Sequence, residues 1–431
     1  MNTITKFFIF LLVLLGFTCC DKVKNTVSYT ANVPIYMSRD EFKITTRASA
    51  ARPMQYPGKI CLYGDYLFIN EVNEGIHVVD NTDPSAPYIV TFIEIMGNVD
   101  LAAKDGILYA DNLVDLLMFD ISEPKSPKLK SRMENVFEGV LPAFNNEFPL
   151  SKFDISDKII VGWEQKKVIE DVEFYKPCMG CYYYGALASD ASWAENKRQT
   201  SVPVAPITGV NGSMSRFAIA DDFLYAVSIK SLPYPQGLLK IVNIENNQAN
   251  LVNTLNIGTN VETLFAYEDH LFMGMSNGMQ IFSIENPSAP VYIASSWHFW
   301  GCDPVVVNGN YVYLTVRSTN TCGQNNNILQ VWDIKNISQP ALVSQFALQE
   351  PYGLGIDGNQ LFICDKGLKV FDATDPLLAG NKLLFSTADF MGYDLIPYNN
   401  LLLVIGDDGL YQYRYSSDNQ LTRLSSIAVL K

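Results

Sequence analysis

The apolar residues of this chain fall into short runs separated by turn residues, a pattern typical of β-strands. Runs of about four apolar residues occur at 66–69, 107–110 and 223–226. No long stretch shows an apolar period of 3.6 residues, so the pattern predicts an all-β protein. The 24 Phe and 23 Tyr residues agree with this prediction, because aromatic side chains favour strands.

One unit recurs along the chain. After the second apolar run comes an apolar residue, a polar residue and a turn with two prolines, as in 79–87, 119–127 and 282–290, with weaker copies at 332–340 and 371–376. Eight such units occur, 41 to 64 residues apart. Each contains two short apolar runs before the third, and the second of these begins at Asp65, Gly106, Lys158, Asp222, Asp269, Asn310, Asn359 and Asn400. A unit that cannot bury its own apolar face stacks on its neighbours.

Each unit is interpreted as four antiparallel strands, so residues 55–431 are predicted to form a single β-propeller. Eight units predict eight blades. The third unit, about 152–176, has lost the proline-rich turn, and the count is seven if it does not form a blade. The repeated aspartates, such as Asp80 and Asp120, are interpreted as turn residues that accept hydrogen bonds from amides two or three positions later.

The units resemble the LVIVD-repeat family of bacterial propellers. The resemblance is carried by the apolar-Asp turn, the following Asp-Pro-x-x-Pro and the preceding Tyr-Leu-Tyr-like runs, and it covers about residues 55–431. It implies a β-propeller in a bacterial lipoprotein. The repeat carries no catalytic residues, so the resemblance supports the fold and not a chemistry.

The N-terminus indicates export. Lys6 precedes an apolar run of about eleven residues, which is too short to span a bilayer and suits a signal peptide. Residues 1–19 are interpreted as a lipoprotein signal and Cys20 as the lipidated residue, with Cys19 as the alternative and an ordinary secretory signal as the other interpretation. Residues 20–54 would form a tether and N-terminal extension. We expect a cell-envelope protein, anchored in the outer membrane of a Gram-negative bacterium.

The net charge of −14 argues against nucleic-acid binding. No cofactor and no metal site are expected, since the three histidines fall in three different units. The segment 274–278 matches the G-x-S-x-G nucleophile motif, but it occupies a hairpin and not a strand-to-helix turn. Ser276 is therefore not interpreted as a nucleophile.

The cysteines after the signal divide into two groups. Cys61 and Cys364 lie in apolar strand-like runs and are interpreted as buried free thiols. In an exported protein the others are candidates for disulfides: Cys178 and Cys181 form a CxxC that is interpreted as a local disulfide, with a redox pair or half of a metal site as alternatives, and Cys302 and Cys322 are a second candidate pair.

The insertions in the repeat indicate a working face. Residues 133–150, 175–214, 229–237 and 317–327 all enlarge connections that lie on one face of a propeller. The innermost strands start on that face, around the mouth of the central channel. The candidate ligand face comprises Lys59, Asp100, Lys152, Arg216, Glu262, Asp303, Tyr352 and Asp394, with Tyr183 and Trp193 of the longest insertion above them.

These features favour a lipid-anchored binding or interaction module of the cell envelope, with an envelope protein or a glycan as partner. The alternative is an envelope enzyme, a glycan-active hydrolase or lyase that uses the channel-mouth carboxylates as acid and base. A purely structural partner of an envelope complex is the third interpretation. The sequence favours the binding module and leaves enzymatic activity open.

Overall fold

The computed structural model describes residues 25–155, 158–172, 210–213, 215–231, 235–258, 261–297, 304–317, 327–418 and 420–430. Within these ranges seven four-stranded antiparallel blades follow one another along the chain. The innermost strands of successive blades contact each other, and the last contacts the first. This closed ring of blades is a β-propeller.

The strands of each blade run outwards in sequence order. Blades 1 and 2 consist of β3 (Pro57–Tyr63), β4 (Tyr66–Glu71), β5 (Gly75–Asp80) and β6 (Tyr88–Glu94), then β7 (Leu101–Lys104), β8 (Ile107–Asn112), β9 (Asp115–Asp120) and β10 (Lys128–Met133). Blade 3 consists of β13 (Phe217–Ala220), β14 (Phe223–Lys230), β15 (Gln236–Asn243) and β16 (Asn250–Asn256). Blade 4 consists of β17 (Val261–Tyr267), β18 (His270–Met275), β19 (Gly278–Ser283) and β20 (Val291–Trp297).

The remaining blades have the same order. Blade 5 consists of β21 (Val305–Asn308), β22 (Tyr311–Val316), β23 (Ile328–Asp333) and β24 (Ala341–Ala347). Blade 6 consists of β25 (Pro351–Asp357), β26 (Gln360–Asp365), β27 (Leu368–Asp372) and β28 (Leu383–Thr387). Blade 7 consists of β29 (Gly392–Tyr398), β30 (Leu401–Gly406), β31 (Gly409–Tyr415) and β32 (Leu421–Ala428). In the described residues, two short 3-10 helices, Glu245–Asn247 and Pro376–Asn381, lie between the third and fourth strands of blades 3 and 6.

The number of blades is seven, which is the alternative to the eight that the sequence predicts, because the third repeat unit does not form a blade. Its apolar run continues instead as the long strand β11 (Ile159–Val172). This strand pairs antiparallel with β1 (Asn25–Met37) over the whole length of both strands, in a separate two-stranded ribbon. Pairing with a distant segment of the chain replaces the local hairpins that a blade requires.

The segment between the ribbon and blade 1 is folded against the propeller. A short helix, α1 (Arg39–Ile44), begins at Ser38 with a capping box in which Ser38 and Glu41 bond each other's backbone amides. The strand β2 (Arg47–Ala50) then adds to the outer edge of β6. Within the predicted tether and extension, residues 25–50 thus form a strand, a helix and a second strand. Among the residues that the structure describes, no helix has the length and apolar character to span a bilayer.

The core lies between neighbouring blades. The second and third strands are buried on both faces, as in β4 and β5, because each blade is covered by a blade on either side. Phe68 of blade 1 and Leu108 and Phe119 of blade 2 belong to one such layer. Burial of these side chains at about 25 cal/mol per Å² is the main force that joins one blade to the next.

The repeated turn aspartates have the predicted role. Asp80 Oδ1 accepts hydrogen bonds from the Thr82 amide and hydroxyl, at 3.1 and 2.7 Å. Asp120 Oδ1 accepts the same pair from Ser122, at 2.9 and 2.6 Å. The prediction that these residues hold the turn is confirmed.

Antiparallel pairing assigns every connection to one of two faces. The hairpins between second and third strands and the blade-to-blade connections lie on one face, here called the upper face. The turns between first and second and between third and fourth strands lie on the lower face. Innermost strands start at the upper face, where the mouth of the central channel is.

Candidate functional site

The central channel contains a segment of the protein's own chain. The strand β12 (Val210–Asn211) pairs with β3 on the edge of that strand that faces away from its blade, with Val210 opposite Leu62 and Asn211 opposite Cys61. The Gly212 amide continues this pairing with a hydrogen bond to the Ile60 carbonyl at 3.2 Å. Residues 210–216, of which 210–213 and 215–216 are described, are called the plug below.

The plug reaches across the channel to blades 6 and 7. Asp394 Oδ1, at the start of β29, accepts hydrogen bonds from the Ser213 amide and hydroxyl at 2.5 and 3.0 Å. The Leu354 amide of β25 donates to the same hydroxyl at 2.6 Å. A Cβ on Gly212 would lie 1.8 Å from Asp394 Oδ2, and one on Gly353 would lie 2.6 Å from Asp394 Oδ1. Both glycines are required by this close approach.

The end of the plug bonds to blades 2 and 4. The Ser215 hydroxyl and the Arg216 amide donate to the two carboxylate oxygens of Asp100, at 2.9 and 2.6 Å. The Leu264 amide of β17 donates to the Ser215 carbonyl at 2.7 Å. The Lys59 Nζ atom completes the surroundings of Asp100 at 2.5 Å from Oδ2, and both side chains are almost fully buried. The plug therefore ties five blades together.

Burial sets the electrostatics beside the plug. It lowers the pKa of Lys59, an effect that the Asp100 carboxylate opposes. It also lowers the pKa of Arg216, against the opposing charges of Asp100 and Glu262. For Asp111, burial raises the pKa to about 6, although the amides of Asp100 and Val99 stabilise its charged form.

In blades 1, 2 and 6, a carboxylate at the end of the second strand holds the chain that enters the innermost strand. Glu71 accepts hydrogen bonds from the amides of Gln55 and Tyr56. Asp111 does the same for the amides of Val99 and Asp100, at 2.8 Å each. Asp365 does so for two amides before β25, those of Gln349 at 2.9 Å and Glu350 at 2.6 Å. The sequence analysis did not predict these hydrogen-bonding carboxylates, although an acidic residue ends the second apolar run in each of these units.

A group of aromatic and charged side chains lies at the upper mouth between blades 5, 6 and 7. The Arg317 guanidinium lies over the Tyr352 ring at 4.1 Å from the ring centroid. The rings of Tyr352 and Tyr393 meet edge to face at 5.3 Å, and Tyr352 Oη lies 3.4 Å from Glu350 Oε1. Burial raises the pKa of Tyr352. These four residues, called the rim cluster, are all partly exposed.

The structure brings most of the described candidate residues together around the plug. They form two groups, one buried and one partly exposed. Lys59, Asp100 and Asp394 are buried beside the plug and bonded to it or to each other. Arg216, which is the last residue of the plug, and Glu262 and Tyr352 are partly exposed. The structure places Lys152 away from the channel, because its unit forms the ribbon: its side chain is 84% exposed and lies 3.7 Å from Glu170 of β11.

Several candidate residues lie outside the described ranges. They are the lipidation residue Cys20, the cysteines of the two expected disulfides, Cys178, Cys181, Cys302 and Cys322, and the ligand-face residues Tyr183, Trp193 and Asp303. Cys61 and Cys364 are buried free thiols, as predicted. No cluster of three or more His, Cys, Asp or Glu side chains suited to a metal ion occurs in the part of the chain that the structure describes.

Two of the insertions meet on the upper face. The Ser231 amide, in the 229–237 hairpin, donates to the Gly139 carbonyl at 2.8 Å. Lys230 of the same hairpin lies 3.2 Å from Glu138, in the 133–150 insertion. Arg317, the first residue of a third insertion, belongs to the rim cluster. The described parts of these insertions therefore surround the same face as the channel mouth.

Comparison with known proteins supports LVIVD repeats in a β-propeller. The LVIVD repeat model matches residues 56–93, 100–135 and 302–347, which lie in blades 1, 2 and 5 and the chain next to them. No curated protein matches the sequence.

Solved structures of similar fold differ greatly from this chain in sequence. The periplasmic gluconolactonase of Pseudomonas aeruginosa is 11% identical with a TM-score of 0.52, over 86% of this chain and 96% of that one. A Bacteroides fragilis protein provisionally assigned as a 6-phosphogluconolactonase is 8% identical with a TM-score of 0.51, over 87% of this chain and 96% of that one. At these identities the likeness concerns the fold alone.

Proposed function

We propose that this protein is a lipid-anchored binding module of the bacterial cell envelope whose working surface is the upper face around the channel mouth. The observation that carries the proposal is the plug. Asp100 and Asp394, two of the carboxylates that the alternative enzyme interpretation would use, are hydrogen-bonded to the plug, and Lys59 is paired with Asp100. Groups committed to internal bonds are poorly placed for acid–base chemistry, whereas the rim cluster above them is partly exposed.

The proposed lipid anchor, Cys20, lies close in sequence to the ribbon. The strand β1 starts at Asn25, so a lipid on Cys20 would be joined to the ribbon by five residues. A chain of that length spans at most about 17 Å. The ribbon would then stand next to the membrane. Mass spectrometry of the N-terminal peptide should find an acylated Cys20, and Cys20→Ser should release the protein from the membrane fraction.

The alternative is an enzyme of the envelope that acts on glycans. It would rest on Asp111, a carboxyl group beside Asp100 whose pKa burial raises to about 6, although its Oδ1 atom also accepts bonds from the amides of Val99 and Asp100. Such a carboxyl group has the proton affinity of a general acid near neutral pH. The periplasmic gluconolactonase of similar fold supports this alternative, because a fold of this kind then accommodates a lactonase site in that protein.

One experiment separates the two functions. The mature chain with Cys20→Ser is sedimented with purified peptidoglycan sacculi and with lipopolysaccharide vesicles, and the soluble fraction is analysed by mass spectrometry. The binding module predicts saturable co-sedimentation without released fragments. Released glycan fragments, lost in Asp111→Asn, would favour the enzyme. No saturable binding to either material would contradict the proposal.

The rim cluster supplies the matched variants. Tyr393→Ala removes a partly exposed ring from the upper face, and binding should weaken about tenfold if the ring contacts the ligand. Tyr88→Ala removes a ring that is 53% exposed at the lower-face end of blade 1, and binding should not change. Equal effects of the two substitutions would remove the argument for the upper face.

A further inference from the structure

A second concave surface on the upper face lies between blades 3 and 4. It is a cavity of about 250 Å³ beside the β18–β19 hairpin of blade 4 and the chain that leaves blade 3. Ile257 and Met275 form its apolar part, and Asn277, Gln280 and Ser295 contribute polar groups. Trp297 forms one wall and is 72% exposed, the most of any tryptophan described.

The repeat itself shows that Trp297 is not needed for the fold. In β20 it pairs with Gly278, the first residue of the third strand. The residues at the same register position are Glu94 in blade 1, Ala347 in blade 5, Ala388 in blade 6, opposite Gly367, and Ala428 in blade 7. A large apolar side chain at this solvent-exposed position is therefore particular to blade 4, and packing between blades does not explain it.

Gln280 also differs from its counterparts in blades 1, 5 and 7, whose side chains contact polar groups within the protein. Two residues after the start of the third strand, blade 1 has His77, which lies 2.8 Å from Glu71. Blade 5 has Gln330, which accepts a bond from Trp332 Nε1 at 3.0 Å, and blade 7 has Tyr411, which donates to Asp408 at 2.6 Å. The Gln280 side chain forms no hydrogen bond with any residue in the described ranges. Its amide is directed to no internal partner and is available to a ligand.

The chemistry of the lining indicates the class of ligand. None of the residues around the cavity is charged, although the protein carries a net charge of −14. The amides of Asn277 and Gln280 both donate and accept hydrogen bonds, as sugar hydroxyls do. The Ser295 hydroxyl accepts a bond from Tyr292 Oη at 2.9 Å and keeps its own proton to donate. An indole ring beside such groups is suited to the alternating C–H and O–H surface of a sugar ring.

We propose that this cavity binds one neutral sugar unit, stacked on Trp297 and hydrogen-bonded by Gln280, Asn277 and Ser295. Its volume is below the range of about 300–1,000 Å³ typical of drug-sized ligands, which suits a single unit at the end of a glycan. The proposal deepens the proposed function, on which its choice of an envelope glycan rests. The site itself is separate from the channel mouth, so each can fail without the other.

Titration of the purified Cys20→Ser chain with neutral monosaccharides tests the proposal. The probes are N-acetylglucosamine and the methyl glycosides of glucose, galactose and mannose, with tryptophan fluorescence and calorimetry as readouts. At least one probe should bind the unsubstituted chain. Trp297→Ala should weaken that binding about tenfold, while Trp297→Phe, which keeps an aromatic platform, should lose much less. Gln280→Ala should weaken it several-fold.

Val291→Ala is the matched control, since Val291 lies on the same strand, is 63% exposed and does not line the cavity. It should bind as the unsubstituted chain does. The proposal is overturned if no probe binds at millimolar concentration, or if Trp297→Ala with an unchanged melting temperature binds normally. Sugar binding that is lost in Tyr393→Ala and kept in Trp297→Ala would retain the proposed function and reject this site.

Discussion

Ser213 in the plug and Asp394 at the start of blade 7 are joined by two hydrogen bonds to one oxygen, Asp394 Oδ1, from the Ser213 amide and hydroxyl at 2.5 and 3.0 Å. Next to Ser213, the Gly212 amide bonds to Ile60 of blade 1. The plug therefore spans the seam between the first and the last blade. No strand exchange closes this seam in the described residues, since blades 1 and 7 are each built from consecutive strands.

The first prediction concerns this contact. Ser213→Ala removes a buried hydroxyl that bonds both Asp394 and the Leu354 amide. The free energy of unfolding should fall by about 1–3 kcal/mol, because the partners are left buried without the bond. Denaturant unfolding measures the change. Ser122→Ala, which removes an exposed hydroxyl from a turn, is the control, and an equally small effect of both would mean that the plug does not stabilise the ring.

The second prediction concerns the close approach of backbone and carboxylate. A Cβ at position 212 would lie 1.8 Å from Asp394 Oδ2, so Gly212→Ala must displace the plug or the carboxylate. We expect a loss of about 1–3 kcal/mol in the free energy of unfolding. Gly162→Ala on the ribbon is the control, because its Cβ would meet nothing closer than 3.7 Å. If the two substitutions are equally tolerated, the plug is not packed as described.

The third prediction concerns the buried ion pair. Lys59→Met leaves the Asp100 carboxylate buried without its cation, and the free energy of unfolding should fall by about 3–5 kcal/mol. Combining it with Asp100→Asn should cost less than the sum of the two single changes. Lys335→Met breaks an exposed pair with Asp333 and should have little effect. Additive single effects would show that Lys59 and Asp100 do not interact.

The fourth prediction concerns acid stability. Hydrogen bonds from Ser122 lower the pKa of Asp120, and bonds from Thr374 lower the pKa of Asp372. The folded state therefore binds fewer protons than the unfolded state, whose aspartates titrate near a pKa of about 3.9. The stabilisation is present above that pH and is lost as the pH falls through the lower folded pKa. Urea midpoints between pH 6 and pH 3 should fall less steeply in Asp120→Asn, and an unchanged slope would contradict the assignment.

The repeat explains why the blades were predictable and the plug was not. Asp80 and Asp120 stand at fixed places in their units, and their turn geometry depends on neighbours two residues away. Lys59, Asp100 and Asp394 were placed together because each starts a channel strand. Their burial depends on residues 210–216, which no local pattern connects with the channel, and the ribbon depends on pairing Asn25–Met37 with Ile159–Val172. Such long-range pairings have no periodic signature in the sequence.

The central claim is that ligands bind to the upper face while the protein's own chain fills the channel beneath it. Hydroxyl-radical footprinting of the mature chain, with and without saturating peptidoglycan sacculi, tests this claim most directly. We expect protection of Tyr393 at the mouth or Trp297 beside it, and no protection of Tyr88 at the lower-face end of blade 1. Protection of Tyr88, with Tyr393 and Trp297 unchanged, would contradict the claim.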